Sequence, residues 1–293
     1  PMVKALFSGK YADKIDELLH TRPNADLGER AGLYLAPHGK TVHPTAMEEF
    51  FASRLAGRIP GVQQSQRAYT TFLNKMRADI FDNIADGWDK TTKTMKDYEE
   101  LARFINSASG RSRWVPSQAS PLLSATFFSP RYMLSRFETP TYMWSQSPEV
   151  RKEAAKDLLA FVGTGVSVLT MGKLGGVWDV ELDPRSADFG KGHAGPIRFD
   201  FWAGYQPIVR YVSQAITEQR KTERGRTQPV DRFETVLRFL QSKTSPQLGF
   251  GIDVLRGENL MGEEISTEPS NIASQAWNRL VPLFIQDIGD AIA

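Results

Sequence analysis

The sequence predicts a mainly α protein, a multi-helix arrangement with one small β-hairpin near residues 177–201. Two observations predict this fold class. Apolar residues recur at three- and four-residue steps through most of the chain, which is the period of an amphipathic helix. Alternation of apolar and polar residues, which indicates a strand, occurs at 177–182 and again at 197–201.

An N-terminal helical subdomain is predicted over residues 1–107. Thr45 and Glu48 form a capping box, so we expect a helix to follow. A second helix, the strongest in the sequence, is expected after Ser65, and Pro60-Gly61 separates the two. Its apolar residues share one helical face: Tyr69, Phe72, Leu73, Met76, Ile80, Phe81 and Ile84. A third helix is predicted from about 94 to 107.

Residues 108–147 are expected to connect two subdomains and to serve as a docking segment. Serine, arginine and aromatic residues are mixed there, and prolines at 116, 121, 130 and 140 interrupt any long helix.

A C-terminal helical subdomain with the hairpin is predicted over residues 148–293. Ser147-Pro148 supplies an N-cap followed by proline at the first helical position, and this helix is expected to reach about Gly172. Ser245-Pro246 repeats the signal. Further helices are predicted at about 206–221, 230–243, 246–256 and 270–291. A turn-rich stretch that includes 190–195 is expected to form the long loop of the hairpin.

Composition narrows the classes of function. The 36 basic and 34 acidic residues leave a formal net charge of +2, which excludes a whole-surface nucleic-acid binder. Because cysteine is absent, disulfides, thiolate metal sites and sulfur nucleophiles are excluded. The chain begins at Pro1 and stops inside an apolar periodic run, so we expect a fragment of a longer protein.

Known catalytic patterns fail, and the sequence predicts neither an enzyme nor a cofactor. Gly39-Lys40-Thr41 resembles the end of a phosphate-binding loop, but Tyr34 stands where that motif requires glycine. Gly165-Val166-Ser167 is not a nucleophile elbow, because Leu169 replaces the second glycine. The glycines at 163 and 165 are instead expected to allow close helix packing. His38 and His43 lack the spacing of paired ligands, so no metal site is predicted.

Four carboxylates cluster around the predicted hairpin: Asp179, Glu181, Asp183 and Asp188. Alternation places the first two on the solvent face, where both should ionise. We interpret Asp183-Pro184-Arg185-Ser186 as a turn in which the aspartate accepts backbone N–H groups and the arginine pairs locally. The alternative is a hydrolase or transferase site assembled from dispersed residues in a deep pocket, including Asp183, Arg185, Asp188 or His193.

Residues 101–137 contain no acidic residue but interleave arginine with aromatic side chains. This composition is enriched at the cores of protein–protein interfaces, and it also binds single-stranded nucleic acid. A docking surface is favoured, because no nucleic-acid-binding module matches. The predicted interaction residues are Arg111, Arg113, Trp114, Phe127, Phe128, Arg131, Tyr132 and Arg136.

The segment 220–226 carries four cations and one anion. Its candidate phosphate contacts are Arg220, Lys221, Arg224 and Arg226. The favoured interpretation is an exposed loop between two helices that stabilises a helix C-terminus. Together with Arg111 and Arg113, these cations define the alternative function, a nucleic-acid-binding accessory region.

Residues 158–172 form a run of fifteen residues without a charge, bounded by Asp157 and Lys173. A spanning helix needs about 20 apolar residues. A buried core helix is therefore favoured over a membrane segment, and membrane contact is the disfavoured alternative.

A series of short motifs follows in order along almost the whole chain. They are IPGV at 59–62, RAYTTFLNKMRAD at 67–79, SPR at 129–131, DLLAF at 157–161, LDPRSADFGK at 182–191, LRFLQSKTSP at 237–246 and LRG at 255–257. In these motifs the chain resembles the large polyvalent proteins encoded by tailed phages and prophages.

The resemblance implies one of the long helical, non-enzymatic regions of such proteins and supplies no catalytic residue. It implies a virion-associated structural segment linked to genome delivery. Its expected partners are other regions of the parent chain, portal or internal virion proteins and, in the alternative, DNA. The expected locations are the virion interior and then the host cytoplasm or envelope, within a larger assembly.

Overall fold

The computed structural model describes residues 2–36, 62–116, 118–195, 197–222 and 225–257. Over these residues the protein is mainly α, as predicted. The helices are α1 Met2–Phe7, α2 Gly9–Thr21, α3 Ala25–Arg30, α4 Val62–Asp86, α5 Met95–Ala108, α6 Ser120–Thr126, α7 Pro130–Thr141, α8 Pro148–Leu174, α9 Tyr205–Thr217, α10 Arg232–Gln241 and α11 Pro246–Arg256. The strands are β1 Asp179–Val180, β2 Gly192–Ala194, β3 Ile197–Phe199, β4 Gln219–Lys221 and β5 Thr227–Pro229.

The chain divides into two compact units. Unit 1 comprises Pro1–Pro121 and Ser129–Gly163, and unit 2 comprises Leu122–Phe128 and Thr164–Ala293. These bounds differ from the predicted subdomains, because the predicted connecting segment contributes residues to both units.

Unit 1 has an enclosed apolar core. Helix α4 packs against α1, α2 and α5, and α5 packs in turn against α7. Phe81, Leu101 and Phe104 are almost completely buried at the centre of this core. Val150, in the first turn of α8, is buried in the same cluster. The predicted inward face of α4 is right only in part, because Leu73 and Phe81 are buried whereas Phe72 is 37 % exposed and Arg77 is buried instead.

Two asparagines, the buried Asn74 and the half-buried Asn106, fix the segment that follows α3. The Asn74 side chain donates to the Ala36 carbonyl and accepts from its N–H, both at 2.8 Å. The Asn106 amide accepts from Tyr34 N and donates to the Gly32 carbonyl, both at 2.9 Å. Each asparagine side chain thus pairs with backbone N–H and C=O groups, which would be costly to bury without a hydrogen-bond partner.

Helix starts agree with the sequence signals. Thr94 precedes α5 and its N–H donates to the Asp97 carboxylate at 3.0 Å. Pro148 and Pro246 begin α8 and α11, and Ser245 Oγ accepts from Leu248 N. Helix α4 begins at Val62, earlier than predicted. The helix expected after Thr45 and the one at 270–291 lie outside the described residues.

The predicted hairpin is wrong in its pairing. Strand β2 lies within the expected loop and pairs antiparallel with both β1 and β3, in the order β1-β2-β3. Gly195, with φ +60°, lies between β2 and β3, and its positive φ favours glycine. A glycine-rich stretch has no strand periodicity of its own, so only its partners make it a strand.

A second small sheet was not predicted. Helix α9 ends at Thr217, because Glu218 adopts a left-handed conformation with φ 52°. Strands β4 and β5 then pair antiparallel, with Arg220 opposite Gln228. The segment expected to be a loop is therefore a β-hairpin.

Candidate interaction surfaces

The predicted Arg/aromatic docking segment is organised in unit 1 by a buried carboxylate, Glu138. Only 1 % of this side chain is exposed. It accepts hydrogen bonds from Ser112 Oγ at 2.5 Å, from Arg113 N at 3.0 Å and from Tyr142 Oη at 3.0 Å. Arg113 Nε also lies 3.2 Å from Glu138 Oε1. Burial and the neighbouring Glu138 carboxylate raise the pKa of Tyr142, so the phenol stays a proton donor.

The predicted interaction arginines differ in their accessibility. Arg113 keeps 59 % of its side chain exposed although its Nε is paired. Arg111 stacks on the Tyr34 ring, 3.4 Å from guanidinium carbon to ring centroid, and Arg136 lies 4.2 Å from the Tyr132 centroid. Arg131 is buried, so the expectation that it lies on an exposed surface is corrected.

The aromatic members of the segment belong to different units. Trp114 and Tyr132 are exposed in unit 1, whereas Phe127 and Phe128 belong to unit 2. In unit 2, Phe128 N donates to the Lys243 carbonyl at 2.8 Å, and Ser245 N donates to the Thr126 carbonyl at 2.8 Å. Phe127 is partly buried and Phe128 is exposed. The predicted single strip is therefore two surfaces, one in each unit.

The basic segment near 220 is only partly available for an anionic partner. Lys221 Nζ forms a short ion pair with Glu181 Oε2, and Arg220 donates to Gln228 Oε1 at 3.3 Å. Arg226 is exposed. Arg224 lies outside the described residues.

A polar cleft of about 400 Å³ lies in unit 2, between the three-stranded sheet and the β4–β5 hairpin. One row across the sheet places Asp179, His193 and Arg198 side by side. Its charged and hydroxyl lining residues are Asp179, Glu181, Ser186, Asp188, His193, Arg198, Lys221 and Thr222. The dispersed residues that the sequence offered as an alternative site therefore do converge, apart from Asp183 and Arg185.

Charges in and beside this cleft neutralise one another. Asp188 lies 3.0 Å from Arg198 Nε and 3.8 Å from His193 Nε2. The hydrogen bond from Lys221 is the main cause that lowers the pKa of Glu181, which agrees with the expectation that this carboxyl ionises. Its predicted place on the solvent face is corrected, because Glu181 is half-buried against Lys221. The hydrogen bond from the Arg185 side chain lowers the pKa of Asp183 to about 2.

The predicted turn at 183–186 is confirmed. Arg185 N donates to Asp183 Oδ1 at 3.0 Å, and Arg185 Nη2 lies 2.8 Å from Asp183 Oδ2. Backbone and side chain of the arginine thus bind one carboxylate, as the turn interpretation requires.

Helix α8 is not the buried core helix that was predicted. Leu159 and Met171 are 74 % and 72 % exposed. Val162, Val166 and Leu174 are also exposed. Only 17 % of the most apolar 18-residue window of α8 is buried, and in the described part of the chain α8 alone is long and apolar enough to cross a membrane. The length of the uncharged run did not predict its burial.

A narrow seam of α8 packs against two tryptophans of unit 2. Gly165 and Gly172 lie two turns apart; a Cβ on Gly165 would lie 2.9 Å from the Trp202 ring, and one on Gly172 would lie 2.0 Å from the Trp178 ring. Close packing is therefore confirmed for Gly165, whereas Gly163 faces open space. Trp178 Nε1 donates to the Leu169 carbonyl at 3.1 Å, which ties the ring to this seam.

Helices α9 and α10 of unit 2 pack together and each leaves an apolar stripe exposed. Tyr211 and Phe239 make an edge-to-face contact at 5.1 Å between ring centroids. The exposed stripes follow the helical period: Val209, Val212 and Ile216 on α9, and Phe233, Val236, Leu237 and Leu240 on α10. Apolar side chains that are exposed at this spacing are typical of a helix face that another surface covers.

Comparisons with known proteins return no match: no protein-family profile, no curated protein and no solved structure matches this chain. The resemblance to large polyvalent phage proteins stays an interpretation of short motifs.

Sequence reasoning missed Glu138, Trp178 and Trp202. Glu138 is the first acidic residue after the acid-free stretch 101–137, and this position was an available signal. Glycines seven residues apart on α8 indicate a close approach, but the sequence does not say which rings approach.

Proposed function

We propose that this chain is a structural and interaction segment of a large phage protein. In this proposal the segment is carried inside the virion and takes part in delivering the genome into the host cell. Its partners are other regions of the parent chain and other virion proteins, such as portal or internal proteins. The segment itself does not catalyse a reaction.

The observation that carries this proposal is the apolar surface of unit 2. Leu169 is the one large apolar side chain that is buried in the described part of unit 2, whereas three of its helices expose apolar stripes. Burying one leucine, valine or phenylalanine contributes about 1.5–3 kcal/mol. The ten large apolar side chains of these stripes therefore favour burial against a partner over exposure to water.

The chemistry of the polar cleft supports a structural role. A general acid or base needs a pKa near the working pH. Glu181 and Asp183 have lowered pKa values and are held as ionised partners of Lys221 and Arg185. The Glu181–Lys221 pair ties β4 to the residue that follows β1, and neither carboxyl group is poised to move a proton at neutral pH.

Mass spectrometry of purified virions tests the proposal. We expect peptides from both units, at a constant ratio to the major capsid protein and on one parent chain. An abundant early non-structural protein serves as the negative control. Peptides that occur in infected cells but are absent from washed virions would contradict the virion assignment.

A second candidate function is nucleic-acid binding, favoured by the adjacent exposed side chains of Arg113 and Trp114. Arginine can pair with a phosphate while the indole stacks on a base. Anisotropy of a labelled single-stranded oligonucleotide should then fall steeply between about 50 and 200 mM salt. Arg113→Ala should lower the salt slope by about 1. Lys152→Ala, at an exposed lysine on α8, is the control, and equal slopes for both variants exclude this candidate.

A further inference from the structure

We propose that the exposed apolar face of α8 docks into the surface of a lipid bilayer. The face comprises Leu159, Val162, Val166, Met171 and Leu174, with small residues between them. This inference deepens the proposed role in genome delivery, because it names the partner as phospholipid.

The first argument is the absence of charge over four turns. From 158 to 172 the helix carries no charged side chain, and the polar side chains on its exposed surface are hydroxyls, Thr164, Ser167 and Thr170. A protein partner is usually met by an apolar centre with a polar rim. A bilayer needs no such rim.

The second argument is the placement of the cations. Lys152 is exposed before the apolar run and Lys173 is exposed after it. Lys156 is also exposed but pairs with Glu153 at 3.2 Å, and the exposed Asp157 borders the run at the same end. Long cationic side chains at both ends of an apolar helix can reach the headgroups while the helix lies in the interface. These cations are complementary in charge to anionic phospholipids.

The third argument gives the orientation. The opposite seam of α8 is occupied by Trp178 and Trp202, which pack on Gly172 and Gly165. Lipid therefore cannot surround the helix, so we place it in the interface although its length and composition would allow it to span. The helix lies along the membrane surface, with its exposed face in the hydrocarbon boundary and its tryptophan seam toward the protein.

Flotation of the 293-residue chain with vesicles tests the proposal. Vesicles of phosphatidylethanolamine and phosphatidylglycerol, 3:1, should bind the chain, and phosphatidylcholine vesicles should bind it more weakly. Leu159→Lys and Val166→Lys should each lower the partition coefficient about tenfold or more, because each removes one buried apolar side chain. Phe7→Lys, at an exposed apolar position of α1, is the matched control and should leave binding unchanged.

Depth of insertion gives an independent measurement. The chain has no cysteine, so Val166→Cys and, at an exposed lysine outside α8, Lys90→Cys can each be labelled at a single position with an environment-sensitive fluorophore. On vesicles the label at 166 should shift to shorter wavelength and be quenched by spin-labelled acyl chains, whereas the label at 90 should do neither. Circular dichroism must show equal helicity for all variants.

Three results would overturn the proposal. The first is that the wild-type chain does not float with vesicles. The second is that Leu159→Lys floats as well as the wild-type chain. The third is that the label at 166 stays in water. A wild-type dimer that Leu159→Lys converts to a monomer, without vesicle binding, would assign the face to a second copy instead. Each of these leaves the virion measurement unaffected, so failure here is distinguishable from failure of the proposed function.

Discussion

Phe81, Leu101 and Phe104 of unit 1 are enclosed by other helices, whereas Phe233, Leu237 and Leu240 of unit 2 lie on a helix with the same periodicity and are exposed. Both sets follow the spacing of an amphipathic helix. In unit 1 this spacing marks a core, and in unit 2 it marks a surface. Apolar periodicity therefore predicts a helix but does not say what covers its apolar face.

The polar interactions of the two units also differ, because those of unit 1 are buried and those of unit 2 lie nearer the surface. Unit 1 buries Asn74 and Glu138 and satisfies them with hydrogen bonds inside an apolar core. Unit 2 relies on ion pairs at its small sheets, such as Glu181–Lys221 and Asp188–Arg198. We infer that unit 1 carries most of the folding stability and that unit 2 gains stability when its surfaces are covered.

The largest expected effect separates the two kinds of apolar position. Phe81→Ala should lower the free energy of unfolding by about 3–5 kcal/mol, because it leaves a cavity in a closed core. Phe233→Ala, at an exposed phenylalanine of unit 2, should change it by less than about 0.5 kcal/mol. Chemical denaturation measures both. Similar losses for the two variants would break the comparison.

A second variant tests the buried carboxylate of unit 1. Glu138→Ala should cost about 3 kcal/mol, because Ser112, Arg113 N and Tyr142 lose their acceptor in a buried place. Glu99→Ala, which removes an exposed ion pair with Arg103, should cost less than about 0.5 kcal/mol. Hydrogen exchange should locate the loss around 112–115 and 138–142. If Glu138→Ala and Glu99→Ala lower the free energy of unfolding equally, the Glu138 carboxylate does not organise this part of unit 1.

The tryptophan seam of unit 2 gives a smaller effect with a matched control on one helix. Gly172→Ala should destabilise the chain by about 1–3 kcal/mol, because its Cβ would overlap the Trp178 ring. Gly163→Ala should stabilise it by about 0.5–1 kcal/mol, because that position is open and alanine favours a helix. Thermal unfolding measures both, and opposite signs are the result that supports the seam.

The smallest effect concerns pH. The pKa values of Glu181 and Asp183 are lowered in the folded state, so their stabilising contribution is present above the unfolded pKa values of about 4.3 and 3.9. It is lost as the pH falls through the folded values, to about 2 for Asp183. Glu181→Gln should therefore flatten the fall in melting temperature below about pH 5. An unchanged pH profile would argue against the ion pair with Lys221.

Much of the helical framework could be predicted from the sequence. The starts of α8 and α11 were predicted from Ser147-Pro148 and Ser245-Pro246, because caps and prolines act within one turn. The start of α5 was predicted from apolar periodicity. The strands were predicted less well. Strand β2 contains Gly192, and its register is fixed by β1 and β3 on either side of it, so no local pattern marks it.

The candidate surfaces were predicted in composition but not in arrangement. Arg113 and Trp114 are exposed as expected, whereas Arg131 is buried and Lys221 is paired with Glu181. The sequence shows where cations cluster along the chain. Whether each cationic side chain is available to a partner depends on burial and on carboxylates far away in the sequence. Glu138 and Glu181 lie 25 and 40 residues from the groups that they bind.

By itself, the sequence determined that this protein is mainly α, where several helices begin, and which segments are apolar or basic. These properties follow from interactions between residues a few positions apart. Only the tertiary structure decided that Phe81, Leu101 and Phe104 are enclosed and that the apolar stripes of α8, α9 and α10 are exposed. It alone decided which cations are neutralised. Burial and pairing depend on which helices and strands pack together. Contacts between residues far apart in the chain produce no periodic pattern in the sequence.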